Sequence, residues 1–139
     1  MSTSDLLQQD RAHGPRSSLK GEFAPRAEVV AFLEAQGCTD ILARMRERYE
    51  RWETVCDLAG KTGALGTVLT DEHQGKWCLI TPDPKPGMYR YSCLDRRGFT
   101  GHGEYSSPEA ALVAAFGMGF EFLSDSSVVD RVIASDDWM

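Results

Sequence analysis

The apolar residues in the first half of this chain recur with the period of a helix. Between Thr39 and Ala59 the recurring positions are Ile41, Leu42, Met45, Tyr49, Trp52, Cys56 and Ala59. Steps of three and four residues place them on one side of a helix, opposite a charged side. Because Thr39 is a good N-cap and Gly60 a good C-terminal stop, the pattern predicts a long helix from Thr39 to about Ala59.

A shorter helix is predicted in front of it. Pro25 suits a first helical turn, and Gly37 suits a helix end. The apolar side of this helix is formed by Val29, Val30, Phe32 and Leu33. Since only Gly37 and Cys38 join the two helices, we expect an antiparallel helical hairpin.

After residue 66 the period changes to that of strands. Trp77–Ile80 is an apolar run, Met88–Leu94 alternates, and Phe99–Tyr105 follows a turn at Asp95–Gly98. Thr67–Thr70 fits a further short strand. Alternation bounded by turn residues predicts a small antiparallel sheet.

Two helices are predicted after these strands. Ser106 or Ser107 caps the first, with Pro108 in its first turn. Residues 120–123 fit either a strand or an apolar linker, and residues 126–134 fit a last short helix. The predicted fold class is α+β: an N-terminal helical hairpin beside an antiparallel sheet of three to four strands, with a helix packed on the sheet.

Composition indicates one small domain. The chain has 139 residues, and residues 1–22 show no periodic apolar pattern. We therefore expect a flexible tail over 1–22 and a single domain over 23–139. No apolar run approaches a membrane span and no signal peptide is recognisable, so the expectation is a cytoplasmic protein without membrane contact.

The charge and the cysteines narrow the function classes. A formal net charge of -6 disfavours a broad phosphate-binding face. Four cysteines at wide spacings, without a CxxC pair, predict free thiols rather than disulfides.

The motifs for nucleotides and metals are incomplete. Gly60-Lys61-Thr62 lacks the earlier glycine of a phosphate-binding loop, since Val55 holds that position. Gly101-His102-Gly103 lacks the third glycine of a dinucleotide fingerprint, and more readily marks a bulge or close approach in an edge strand. The spacings among His73, Cys78, Cys93 and His102 match no zinc pattern. We predict no cofactor and no metal.

One pair of residues could support catalysis. Cys93 and His102 could face each other across the hairpin turned by Asp95–Gly98, and an imidazole can activate a thiolate. Against this, Cys93 shares its strand face with Tyr89 and Tyr91, which favours packing. A small enzyme using Cys93 and His102 remains one alternative.

Aromatic and arginine side chains are interleaved in the same segment. The candidate residues for binding a ligand or partner are Trp77, Tyr89, Tyr91, Arg96, Arg97, Phe99, His102 and Tyr105. Aromatics with arginine on a small sheet can stack on nucleic acid. The same aromatics pack under a covering helix in many sheets. Whether they line an open pocket or lie in the core stays open.

The layout of residues 77–116, three strands and an Ala-rich helix, resembles the arm-binding domains of tyrosine recombinases. It is also similar to double-stranded RNA-binding domains, which place lysines at the start of the last helix. This chain has Ser107-Pro108-Glu109-Ala110 there, which would repel phosphates. The resemblance is one of layout alone, so no functional residue is carried over.

These observations favour a non-enzymatic, small acidic binding protein, of the type found among accessory and mobile-element products. It would act through a protein partner, or through a small-ligand pocket between the sheet and the helices. The alternatives are nucleic-acid association through the Arg-bearing hairpin 88–105, and the Cys93/His102 enzyme. An open sheet edge also favours a homodimer.

Overall fold

Helices precede an antiparallel sheet in the computed structural model, which describes residues 19–71 and 73–134. Helix α1 is Ala27–Ala35 and helix α2 is Thr39–Thr62. The chain divides into two units, one ending at Asp57 and one beginning at Leu58. The predicted α+β class is confirmed. Of the predicted tail, residues 1–18 lie outside the described residues, and residues 19–22 form helix and turn.

Helix α1 ends just before Gly37, the residue predicted to stop it. Gly37 adopts φ 71°, a left-handed conformation that glycine tolerates without steric cost. The amide of Gly37 donates to the Glu34 carbonyl at 3.1 Å, and that of Cys38 donates to the Leu33 carbonyl at 2.9 Å. These bonds satisfy carbonyls that the last helical turn leaves without helical partners.

The predicted apolar side of α1 does not become a buried side. No residue of α1 is buried, and Phe32 keeps 62% of its surface exposed. Val29 is exposed as well, while Val30 and Leu33 are half-buried. The periodicity therefore identified the helix correctly but not a core contribution from it.

Helix α2 contains the core of the first unit, around Trp52. The indole is fully buried, and its Nε1 donates to the Leu19 carbonyl at 2.8 Å. The Phe23 ring meets it edge to face, with 4.8 Å between centroids. The guanidinium of Arg48 lies 5.0 Å from the Phe23 ring centroid, a cation–π arrangement. Packing and hydrogen bonding thus connect residues 19–23 to α2.

The predicted stripe of α2 is largely correct, but its end is not. Leu42, Trp52 and Cys56 are buried as expected, whereas Ile41 is 41% exposed. The helix continues past Gly60 to Thr62, where the hydroxyl donates to the Leu58 carbonyl at 3.1 Å. Gly60-Lys61-Thr62 therefore forms the last helical turn.

The sheet has five strands rather than the predicted three to four. They are β1 (Val68–Asp71), β2 (Lys76–Pro82), β3 (Tyr89–Asp95), β4 (Gly98–Tyr105) and β5 (Phe122–Leu123). All pairings are antiparallel, in the order β4-β3-β2-β1-β5. The fifth strand forms because residues 122–123 pair with β1. Of the two alternatives for residues 120–123, a strand or an apolar linker, the strand is therefore correct for residues 122–123.

Two helices complete the second unit. Helix α3 is Pro108–Gly117 and contacts β2, β3 and β4, as predicted for the helix packed on the sheet. Helix α4 is Ser126–Ile133. No helix within the described ranges combines the length and apolarity needed to cross a membrane.

Each side of the sheet has its own apolar cluster. Residues directly opposite in an antiparallel ladder project to the same side. One side, which we call the α3 face, carries Leu69, Cys78, Ile80 and Cys93, all buried. The other side, the α4 face, carries Val68, Trp77, Leu79 and Leu94, which cluster with Val129 of α4.

We expect Ser107→Ala to lower the free energy of unfolding by about 1 kcal/mol, because Ser107 is the N-cap of α3. Its Oγ accepts from the Ala110 amide at 3.1 Å, and alanine leaves that donor without its cap. Chemical denaturation measures the loss. Ser106→Ala is the matched control at the exposed neighbouring position. Equal losses in both variants would contradict the capping role.

Candidate functional site

A half-open cavity of about 500 Å³ lies on the α3 face of the sheet. Its lining includes Asp71, Lys76, Tyr91, Cys93, His102 and Phe120. The volume is within the usual range for small-molecule sites. Charged, hydroxyl and thiol groups share the lining with apolar ones, an arrangement that can hold and orient a small ligand.

Strand register brings the sheet residues of the cavity together. Lys76 lies opposite Asp71, Tyr91 opposite Gly103, and Cys93 opposite Gly101. These residues come from four strands and all belong to the α3 face. Their grouping follows from pairing between strands, and their separations along the chain do not reveal it.

The residues after α3 supply the cavity's apolar wall, Met118 and Phe120. Gly119 between them adopts φ 111°, which a larger residue rarely adopts. A Cβ added to Gly119 would lie 3.5 Å from Asp71 Oδ2. Gly119 thus lets the chain turn beside the Asp71 carboxylate, and the residues before and after it, Met118 and Phe120, both line the cavity.

Asp71 is the buried acid of the site, with 8% of its surface exposed. Its Oδ1 accepts a hydrogen bond from the His73 amide at 3.0 Å. This bond fixes the carboxylate at the start of the turn between β1 and β2. Since Lys76 ends the same turn, the two opposite charges lie across from each other at the cavity.

Tyr91 lies over a position where only glycine fits. A Cβ on Gly103 would be 2.6 Å from Tyr91 Cε2, well inside van der Waals contact. The Tyr105 ring packs beside it, with 5.8 Å between centroids. The predicted close backbone approach in an edge strand is therefore confirmed at Gly103. Burial, followed by the neighbouring Tyr105, raises the pKa of Tyr91, so its hydroxyl stays protonated and can donate to a ligand.

Cys93 and Cys78 form a thiol pair next to the cavity. Their sulfurs are 3.8 Å apart, and all four cysteines are free, as predicted. The hydrogen bond with Cys78, aided by the Lys76 ammonium, lowers the pKa of Cys93 although burial opposes it. The same hydrogen bond and burial raise the pKa of Cys78 far above its ordinary value. Cys93 is thus the thiol that ionises first.

The suggested pairing of Cys93 with His102 does not follow from the register. His102 lies opposite Ser92, and its Nε2 is 3.9 Å from Glu104 Oε1. Cys93 lies opposite Gly101 instead. Both residues line the cavity, but they are not cross-strand partners.

The predicted aromatic residues lie on two different faces. Tyr89, Tyr91 and Tyr105 belong to the α3 face, and all three are half-buried. Trp77 and Phe99 belong to the α4 face, where Trp77 packs on the core and Phe99 is 66% exposed. The register shifts by one residue after Cys93, so that Thr100 is an extra residue in β4. This bulge moves Phe99 to the face opposite Tyr105.

The arginines of the hairpin are also divided. Arg90 belongs to the α4 face, and its Nε donates to Asp83 Oδ2 at 2.9 Å. Arg96 and Arg97 are exposed in the turn between β3 and β4, where Asp95 Oδ1 accepts from the Arg97 amide at 2.7 Å. Arg90 is therefore engaged within the sheet and does not join the turn arginines in one phosphate-binding surface.

Sequence reasoning missed Asp71, Lys76, Met118 and Phe120 as site residues. Strand parity held a signal for the first two, because Asp71 shares a face with Leu69 and Lys76 shares one with Cys78. For Met118 and Phe120 the sequence carried no such signal, since the path of the chain after α3 places them.

Comparison with models of protein families, with characterised proteins and with solved structures gives no match.

We expect Gly103→Ala to destabilise the protein by about 1–3 kcal/mol, because the new methyl group collides with the Tyr91 ring. Gly101→Ala is the control two residues away in the same strand, where an added Cβ has no heavy atom within 4 Å. Thermal or chemical unfolding measures both. A loss of similar size at Gly101 would show that the close approach to Tyr91 is not the cause.

We expect the contribution of Asp83 to stability to disappear in acid. The Lys85 amide, followed by the Arg90 guanidinium, lowers the pKa of Asp83. A lowered folded-state pKa stabilises the protein above the unfolded value of about 3.9, and this stabilisation is lost as the pH falls through the folded value. The stability difference between wild type and Asp83→Asn should therefore shrink below about pH 4.

Denaturation curves at neutral and acidic pH measure that difference. Lys85→Ala is the matched control, because it keeps the backbone N–H that bonds to Asp83. A difference that stays constant with pH would argue against the charged form of Asp83 as the stabilising species.

Proposed function

We propose that this chain is a non-enzymatic binding protein that takes a small molecule in the cavity on the α3 face. The supporting observation is a volume of about 500 Å³, half-open and lined by both apolar and ionisable side chains. Ligand sites commonly combine apolar walls with a few polar groups that fix orientation.

The lining indicates the chemistry of the ligand. Met118, Phe120 and the Tyr91 ring offer apolar contact to a flat ring. Lys76 can bind an anionic or acceptor group, and Asp71 a donor group. We therefore expect a small amphipathic molecule, with one ring and at least one polar substituent.

Binding draws more support than catalysis from the same geometry. One way to activate a thiol is a base within hydrogen-bond reach. His102 lies opposite Ser92 and near Glu104 and is not the cross-strand partner of Cys93, so the register does not support it as that base. Cys93 instead has a second thiol beside it.

The setting of the protein is part of the proposal. Four free cysteines support a reducing compartment, and hence a cytoplasmic location. β4 is an edge strand with Phe99 exposed on it, which supports pairing of two copies as a homodimer. We also propose that this small acidic protein is an accessory or mobile-element product.

Binding can be tested with small ring probes on the full chain. Phenol, benzoate and benzylamine present one ring with different polar groups. In amide-resolved NMR titrations we expect the resonances of cavity residues, such as Lys76, Gly101 and Phe120, to shift with at least one probe. Shifts confined to other surfaces, or none with any probe, would count against the proposal.

A cavity-filling variant sharpens the test. Gly101→Phe places a ring where the structure has open space, in extended backbone that accepts a side chain. It should abolish the shifts. Glu104→Phe adds the same ring to the same strand on the α4 face and should leave them intact. Equal effects of the two variants would contradict binding in this cavity.

A further inference from the structure

Cys78 and Cys93 occupy directly opposite positions on adjacent antiparallel strands. Such pairs have Cα atoms about 4.5 or 5.5 Å apart, depending on the type of pair. Both spacings are within the range of about 4.4–6.8 Å that disulfides span. The strand backbones are therefore already placed for a bond.

The sulfurs are 3.8 Å apart in the reduced protein. A disulfide requires about 2.05 Å. Because the backbone spacing is suitable, rotation of the two short side chains is the movement required. We propose that Cys93 and Cys78 are a redox-active pair that a small disulfide entering the cavity converts to a cross-strand disulfide.

The cavity assigns different roles to the two thiols. Cys93 lines it and keeps 5% of its surface exposed, whereas Cys78 is completely buried. Lys76 lies on the same face and lines the same cavity, so its ammonium favours the Cys93 thiolate. Cys93 is therefore the attacking sulfur and Cys78 the resolving one.

The reaction proceeds in two exchanges. The Cys93 thiolate attacks one sulfur of the small disulfide, forming a mixed disulfide and releasing one small thiolate. The Cys78 thiol then loses its proton to the released thiolate and attacks the Cys93 sulfur, releasing the second small thiolate. The protein loses two electrons and two protons, and the small disulfide gains them as two thiols.

The remaining cysteines provide internal controls. Cys56 is buried in α2, and burial raises its pKa to about 12, so little thiolate is present near neutral pH. Cys38 lies between α1 and α2, with its Sγ 4.0 Å from the Gln36 carbonyl. Neither lies in a strand opposite another cysteine.

The exchange between the Cys93 and Cys78 thiols and a small disulfide requires only that the oxidant enters the cavity. It does not depend on the ligand proposed above.

The test exposes the reduced, full-length protein to hydroxyethyl disulfide, followed by acid quenching and tryptic peptide mapping. Cleavage after Lys76, Arg90 and Arg96 puts Cys78 and Cys93 in separate peptides, so their linkage is read directly by mass. In wild type we expect a Cys78–Cys93 linked pair as the main product, formed before Cys56 reacts. A small reductant should restore both free thiols.

Variants separate the two roles. Cys78→Ala should leave Cys93 as a lasting mixed disulfide, because the resolving thiol is gone. Cys93→Ala should slow reaction at Cys78 by roughly tenfold or more, since a buried thiol with a raised pKa ionises rarely. Cys56→Ala should not change the linkage, and circular dichroism checks that each variant is folded.

The wild-type result decides the question even where a variant fails to fold. A mixed disulfide that persists on Cys93 would overturn the proposal, because Cys78 then does not resolve it. Reaction at Cys56 or Cys78 before Cys93, or no linkage in folded wild type after prolonged exposure, would overturn it as well.

Discussion

The antiparallel register between β2 and β3, with Cys78 opposite Cys93, is the constraint on which the second unit depends. Side chains alternate between the faces of a sheet, so a shift of one residue would move every side chain of a strand to the other face. This register buries Cys78 and Ile80 under α3 and leaves Trp77 for the α4 cluster. The thiol pair and much of the cavity lining are direct consequences of it.

The bulge at Thr100 also shapes the candidate site. One extra residue in β4 reverses the alternation beyond it, which puts Phe99 on the α4 face and Gly101 opposite Cys93. Without the bulge, Phe99 would join the three tyrosines. Gly101 therefore borders the cavity opposite Cys93. Because glycine has no side chain, the space beside Cys93 stays open.

Glycine and charge have complementary roles around the cavity. Gly103 accommodates the Tyr91 ring, and Gly119 lets the chain pass beside Asp71. The buried carboxylate of Asp71 is satisfied by the His73 amide and faces Lys76 across the ladder. Polar groups are thus held at fixed positions beside the apolar side chains of the lining, where an ordered hydrogen bond avoids the cost of burying an unpaired group.

Much of the local structure was predictable, because it depends on neighbouring residues. Helical spacing identified α2 and its buried Trp52, and Ser106 or Ser107 followed by Pro108 identified the start of α3. Strand alternation and turn residues located β1 to β4. Local pattern was insufficient where a neighbouring segment decides the outcome: residues 122–123 become a strand only by pairing with β1.

The sequence by itself determined the α+β class, the positions of most helices and strands, and the free state of the cysteines. The tertiary structure alone decided which residues share a surface. Cys78 and Cys93 meet because two strands pair in one register, and Met118 and Phe120 reach Asp71 because α3 ends over the sheet. The physical reason is that helix and strand periods act within a few residues, whereas register, bulges and helix placement are settled by packing between distant segments.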